Sequence, residues 1–218
     1  MKDVVLLDNY DLFLFDFDLT LADGSDWIVH SYQRVLAEYG FKEVSDVTVR
    51  CTIGLTVEES FQVMTGVNDA TLLGELRDAY KAVCRPGIVE HTHFFADAVA
   101  FLKRLKGMNK TIGVVSTKEA STIKRCFEHR GIKQLPSIVL GRSEVVCAKP
   151  SPEGLQKASE IQHVSLNKVL YFGDSIVDAE AAQRAPVDFV AVVKGNYAES
   201  HFRTFPTKAI ITSYDCLG

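Results

Sequence analysis

The chain has 218 residues, 47% of them hydrophobic and 24% charged, with 24 Lys and Arg against 28 Asp and Glu for a formal net charge of −4. That length holds one large domain, or one domain carrying a smaller one, with core enough to fold unaided. The balance excludes a disordered chain, a collagen repeat and a disulfide scaffold, and a weakly acidic chain with no basic run argues against nucleic acid as a partner.

Cys51, Cys84, Cys126, Cys147 and Cys216 stand singly, with no CxxC or zinc-ligand spacing, which points to reduced thiols and a cytoplasmic setting. The N-terminal apolar runs are broken by Asp, so no secretory leader is expected. No run nears the ~18 apolar residues of a membrane span, so no membrane association is expected.

The first short apolar run is Leu12–Phe15; others follow at Thr111–Val115, Ile138–Leu140, 169–172, 189–193 and 209–211. They do not alternate apolar with polar, as strands covered on both faces do not. Helical spacing lies between them: Phe94, Ala98, Phe101, Leu102 and Leu105 before Gly107; Ile123 and Phe127 before Gly131; then Leu155, Ala158 and Ile161. Tyr197, His201 and Phe202 read as a final helix. Strand–helix repetition predicts an α/β fold with a doubly wound parallel sheet.

One stretch breaks the alternation. From 24 to 87 there are helical patterns and no strand. Ser25 reads as the cap of a helix bearing Ile28, Tyr32, Val35 and Leu36. Thr56 and Glu59 form a capping box before Phe61, and Asn68 precedes Leu72, Leu73, Leu76 and Tyr80. A connection of this length is expected to be a small all-helical domain rather than a loop. The expected division is therefore a core of residues 1–21 and 88–218 with a helical insertion at 22–87.

Chemistry-bearing residues gather just after the predicted strands, where ligands bind in open parallel sheets. Asp16 and Asp18 follow the first run, Ser116 and Thr117 the second, and Asp174 the fourth with Asp178 beyond it; Lys149 precedes a helix. Four acids and one lysine leave three negative charges, which calls for protons or a cation. Carboxylates without His or Cys favour Mg²⁺, and a phosphate would then be held by Lys149, the Ser116 hydroxyl and backbone N–H groups, with Thr117 contributing its N–H. These are the parts of phosphoryl transfer: a carboxylate nucleophile, a second carboxylate to move the proton, and cations on the phosphoryl oxygens. As i and i+2 of a strand, Asp16 and Asp18 are expected to face the same crevice.

FDFDLTLADGS resembles the first motif, DxDx[TV], of the haloacid dehalogenase superfamily. VVST, Lys149-Pro150 and GDSIVDAEAA resemble its second, third and fourth motifs, in order and across nearly the whole chain. The wording of the first motif and the insertion after it are similar to phosphoglycolate phosphatases. The resemblance implies a Rossmann-like core, a helical cap, and a Mg²⁺-dependent phosphatase for a small phosphorylated metabolite. It implies Asp16 as nucleophile and metal ligand, and Asp18 as general acid/base with its carbonyl on the metal. Ser116 and Lys149 would bind phosphate, Asp174 the metal directly, and Asp178 the metal directly or through water. Leu19 departs from the glycine common in relatives.

Two other readings stay open: a sugar-phosphate mutase of the β-phosphoglucomutase type, which shares all four motifs, and a receiver-like phospho-acceptor domain, against which Asp18 and the insertion speak. Asp23 is expected to be a capping residue and His91 and His93 part of a linker. Trp27 reads as core of the helical insertion. Arg50 and the Gly54-Leu55 loop are expected either to reach substrate or to be solvated. Oligomeric state is not legible.

Overall fold

The computed structural model describes residues 7–217; the opening residues used to exclude a leader lie partly outside that range. β1 (Leu12–Phe15) is followed by the two-residue strand β2 (Ala22–Asp23) and four helices: α1 (Ser25–Glu38), α2 (Asp46–Arg50), α3 (Val57–Thr65) and α4 (Ala70–Cys84). The chain returns through β3 (His93–Phe94) to α5 (Ala96–Gly107), β4 (Thr111–Val115), α6 (Ala120–His129), β5 (Ile138–Leu140) and α7 (Glu153–Ile161). It ends with β6 (Val169–Gly173), α8 (Ile176–Arg184), β7 (Asp188–Val192), α9 (Glu199–Phe202) and β8 (Thr207–Ile211).

The six long strands form one parallel sheet in the order β5-β4-β1-β6-β7-β8. Two chain segments wind outward from β1, so the sheet reverses direction between β1 and β6, and a crevice opens beyond their carboxyl ends. This is the predicted Rossmann-like α/β sheet.

Strand side chains alternate between the two faces. Phe13 and Phe15 join Phe101, Leu102, Ile123 and Phe127 on the α5–α6 face. Leu12 and Leu14 join Leu155, Ala158, Ala182 and Phe202 on the α7–α9 face. Phe15 stacks on Phe172 across β1 and β6, centroids 4.7 Å apart. Each such fully buried side chain stabilises the fold by roughly 1.5–3 kcal/mol.

The four helices between β2 and β3 pack on one another, α1 against α4 and α4 against α3. Tyr32 stacks on Tyr80 with centroids 4.2 Å apart and meets Phe61 edge-on. The Thr56–Glu59 capping box is present. One expected cap differs. Gly24, not Ser25, occupies the N-cap of α1, because the Asp23 carboxylate accepts the Ser25 N–H at 2.8 Å and draws Ser25 into the first turn. Asp69 caps α4, accepting the Leu72 N–H.

Chain entry and exit are joined by β2 and β3, an antiparallel pair with Asp23 opposite His93. Trp27 sits beside this ribbon. Its indole stacks nearly parallel on His91, centroids 4.4 Å apart, and lies 5.0 Å from His30, and its N–H donates to the Cys84 carbonyl. Gly87 is required here, because a Cβ would lie 2.4 Å from the Trp27 ring. Tyr197 precedes α9 instead of lying in it. All five cysteines are free.

Candidate active site

The functional side chains stand on the sheet's carboxyl end because each strand stops there. Asp16 continues β1 by one hydrogen bond, its N–H donating to the Phe172 carbonyl at 2.8 Å. Leu19 then adopts φ 59°, and its N–H donates to the Ala22 carbonyl, so the loop turns back tightly. A left-handed backbone costs a side-chain-bearing residue about 1–2 kcal/mol, and here the buried Leu19 side chain offsets it. The departure from glycine therefore keeps the loop conformation that glycine would adopt freely.

Asp16, Asp174 and Asp178 converge. Each offers a carboxylate oxygen, and the three oxygens lie within 4.8 Å of one another. All three residues are buried. Lys149 Nζ lies 2.9 Å from Asp16 Oδ1 and 2.5 Å from Asp178 Oδ1, and it donates to the Tyr171 hydroxyl at 3.1 Å. Three carboxylates against one ammonium leave two negative charges in a buried space.

Burial lifts the Asp16 carboxyl to about 6, the Lys149 ammonium opposing that rise and the Asp178 charge adding to it. Burial, then Asp178 and Asp16, raise Asp174 well above the usual carboxylate range. Lys149 shows the complement: burial disfavours its charge, but Asp16 and Asp178 hold its pKa above that of an ordinary lysine.

The three acids are not equivalent. Asp178 is the N3 residue of a capping box on α8: its Oδ2 accepts the Ser175 N–H at 3.1 Å and the Ser175 hydroxyl at 2.5 Å. Its Oδ1 accepts from Lys149 and from the Tyr171 hydroxyl at 2.6 Å. Four donors fill the ~4 acceptor sites of a carboxylate. Asp16 Oδ1 is buried with only the Lys149 ammonium, 2.9 Å away, beside it and no other donor among the described residues, so it keeps free acceptor capacity. Asp174 accepts one 3.3 Å bond, from the Thr20 hydroxyl. Asp16 and Asp174 thus hold free hard-oxygen acceptors, and a divalent cation fits the vacant acceptor sites and the excess charge. Gly195 lies against Asp174, where a Cβ would come within 2.2 Å of Oδ2.

Asp18 stands apart. It lies past the end of β1, in a turn rather than on the strand, and the Lys118 ammonium donates to both its oxygens at 3.0 and 2.9 Å. It is not among the clustered acids. The charge expected for one site is thereby split in two. Lys118 was not singled out in the sequence, although it directly follows Ser116-Thr117. The only signal was a third polar residue in that loop, and its partner lies 100 residues away.

Ser116 is buried beside Asp16, and its hydroxyl accepts the Lys118 N–H at 3.3 Å. The Thr117 hydroxyl reaches across to the α2–α3 loop and donates to the Gly54 carbonyl at 3.1 Å. Arg50 pairs with Asp26 and donates to the Ser25 hydroxyl, tying α2 to the start of α1. His91 and His93 lie on the return to the sheet, His91 stacked on Trp27 and His93 paired with Asp23, and neither belongs to the acid cluster. Tyr171 and Ser175, both bound to Asp178, also escaped the sequence reading: one looks like strand core, the other like a helix cap.

Between α1–α4 and the sheet lies a cavity of about 400 Å³. Asp18, Thr117 and Lys118 line one end and Ile53, Gly54 and Leu55 the side above them. Among the described residues, no helix is long and apolar enough to cross a membrane.

A family model described as haloacid dehalogenase-like hydrolase matches residues 13–192. Among solved structures, a haloacid dehalogenase-like hydrolase from Bacteroides fragilis superposes with a TM-score of 0.92 and 36% identity, covering 94% of this chain and 97% of that one. A phosphoglycolate phosphatase of Yersinia pestis is 24% identical over 197 residues, 88% of this chain and 85% of its own. The pyrophosphatase PpaX of Oceanobacillus iheyensis is 26% identical over 201 residues, 91% of this chain and 90% of its own.

Proposed function

Because the chain belongs to the haloacid dehalogenase-like hydrolases, we propose that it is a Mg²⁺-dependent phosphatase that releases phosphate from a small phosphorylated metabolite through an aspartyl-phosphate. The observation that carries this reading is the buried Asp16 carboxylate, its Oδ1 2.9 Å from the Lys149 ammonium and one of its oxygens within 4.8 Å of a carboxylate oxygen of each of the other two acids. Relatives that are a phosphoglycolate phosphatase and a pyrophosphatase support it. They put phosphoglycolate and comparable small phosphates first among substrates, and a cytoplasmic location accords with them.

In this mechanism the Asp16 carboxylate attacks phosphorus, forming an acyl-phosphate bond as the ester P–O bond breaks. Asp18 gives its proton to the leaving alkoxide, then takes one from the water that attacks the acyl phosphate, and Asp16 is regenerated with release of phosphate. Lys149 and the Ser116 hydroxyl hold the phosphoryl oxygens, with the Thr117 N–H beside them. Asp16 and Asp174, with the Asp18 carbonyl, would hold the metal. Asp178, whose acceptors are filled, would serve by fixing Lys149 and would back the metal site from behind the other two acids. Bound there, Mg²⁺ neutralises phosphoryl charge and aligns the phosphate with the nucleophile. Residues 22–87 act as a cap that excludes bulk water over the site, the core being 1–21 and 88–218.

The test is phosphate release across a panel of phosphorylated metabolites with Mg²⁺. One or a few small phosphates should stand out, and p-nitrophenyl phosphate should also be cleaved. Conversion of a hexose 1-phosphate to its 6-phosphate with little free phosphate would favour the mutase. Stoichiometric labelling from acetyl phosphate without turnover would favour a receiver.

A further inference from the structure

Asp174 is held differently from its neighbours. Asp178 is fixed by the cap of its own helix and by Lys149. Asp174 stands just past the end of β6, where the Thr20 hydroxyl donates to its Oδ1 at 3.3 Å. On the other side the backbone of Gly195 closes against its Oδ2, leaving no room for a side chain. Thr20 belongs to the loop after β1 and Gly195 to the loop after β7, and both loops are tied to one residue at the start of α5.

That residue is Asp97. Lys194, the neighbour of Gly195, donates to both Asp97 oxygens at 2.9 and 2.7 Å, and the two side chains are each 15% exposed. From the 3₁₀ turn after β8, the Tyr214 N–H donates to Asp97 Oδ2 at 3.0 Å, and the Ser213 hydroxyl lies 3.0 Å from the same oxygen. The Tyr214 hydroxyl then donates to the Thr20 carbonyl at 3.1 Å. Packing does not call for that hydroxyl. The buried Tyr214 ring stacks on Phe101, centroids 5.2 Å apart, and lies 6.3 and 5.8 Å from Phe15 and Phe172. A phenylalanine would make the same contacts without the cost of burying an O–H, which the bond to Thr20 offsets. A carboxylate offered to a divalent cation must keep its direction, and partners that orient metal ligands account for about 10–100-fold in affinity.

Resting on the metal-dependent reading above, we propose that Asp97 is a positioning residue for the metal site. Through Lys194 it sets Gly195 against one side of the Asp174 carboxylate, and through Tyr214 it sets Thr20 against the other. Asp97, Lys194 and Tyr214 lie outside the acid cluster and act through Asp174.

The experiment titrates metal-free protein with Mg²⁺ by isothermal calorimetry at neutral pH and reads Kd and the number of sites per chain. Wild type is compared with Tyr214→Phe, Asp97→Asn and Lys194→Met. Kd should rise about fivefold in Tyr214→Phe and about tenfold in the other two, with the number of sites unchanged. Charge alone predicts a different pattern: loss of the Lys194 cation would tighten Mg²⁺ binding, and loss of the Asp97 anion would weaken it. Tighter binding by Lys194→Met therefore overturns the proposal. A Kd for Tyr214→Phe within about twofold of wild type overturns it too, as does an unchanged Kd with fewer sites per chain, the result of mere loss of folded protein. Tyr214→Phe keeps the aromatic packing and decides the matter should Asp97→Asn fail to fold. Wild type that takes up no Mg²⁺ sinks the metal-dependent reading and this inference with it; wild type that binds Mg²⁺ no better than the variants sinks this inference alone.

Discussion

The acid crevice and the cavity beside it are built on opposite terms. In the crevice, Asp16, Lys149, Asp174 and Asp178 are all at most 5% exposed, and their places follow from where parallel strands end. The carboxylates there outnumber the one ammonium, so burial and mutual repulsion push Asp16 and Asp174 toward their protonated forms. In the cavity three ion pairs join α3, α4 and the loops after β1 and β4, and several of their members are partly exposed: the Lys81–Glu119 pair is 27% and 24% exposed. Rigid elements fix a reaction, and mobile or replaceable elements choose what undergoes it. The contrast teaches where to look: under the proposed function, substitutions in the crevice should stop the reaction and substitutions in the cavity should alter only its rate or selectivity.

The largest expected effect lies in the crevice. Asp16→Asn removes the proposed nucleophile and should lower kcat for p-nitrophenyl phosphate by about 10³-fold or more. Retention of a tenth of the activity would exclude the covalent route and erase the difference between the two regions.

The second effect is on stability. The Asp16 carboxyl is raised from 3.8 to about 6, and Asp174 is raised as well. A raised carboxyl binds its proton more tightly in the folded chain. In metal-free protein its stabilisation is complete below about pH 4 and lost as the pH passes about 6. Two units at one group amount to about 3 kcal/mol. A divalent cation competes for the same oxygens, so the rise in melting temperature on adding Mg²⁺ to EDTA-treated protein should grow from near zero at about pH 4 to several degrees at about pH 7. A Mg²⁺ effect independent of pH would separate the metal from the buried acids.

The smallest effect is expected at Lys81→Met, which breaks a partly exposed pair between α4 and the start of α6. Such pairs contribute about 0–1 kcal/mol, so kcat/KM should change by less than about tenfold, mainly through KM. A collapse comparable to that of Asp16→Asn would place the chemistry partly in the helices and break the comparison.

How much of this was legible in the sequence follows the same division. β1, β4 and β5 read correctly because strands buried on both faces are continuous apolar runs. β8 reads short, at 209–211 instead of Thr207–Ile211, because an edge strand begins with exposed polar residues. β2 and β3, two residues each, have no period to detect. Asp16, Lys149, Asp174 and Asp178 could be brought together on paper, since parallel strand ends share one side of a sheet. The Lys118–Asp18 pair could not: nothing local marks which lysine folds over which carboxylate from 100 residues away. Arg50 is a similar case, its guanidinium taken by the start of α1 rather than by a ligand.

The chain contains one tryptophan, and it lies between two imidazole rings where the chain passes from sheet to helices and back. A swing of α1 against the returning segment at His91 would unstack the indole and break its bond to the Cys84 carbonyl. Its emission is thus an intrinsic optical gauge of that joint, available in the unlabelled wild-type protein and readable on the millisecond timescale of a stopped-flow mixing with a phosphate ester.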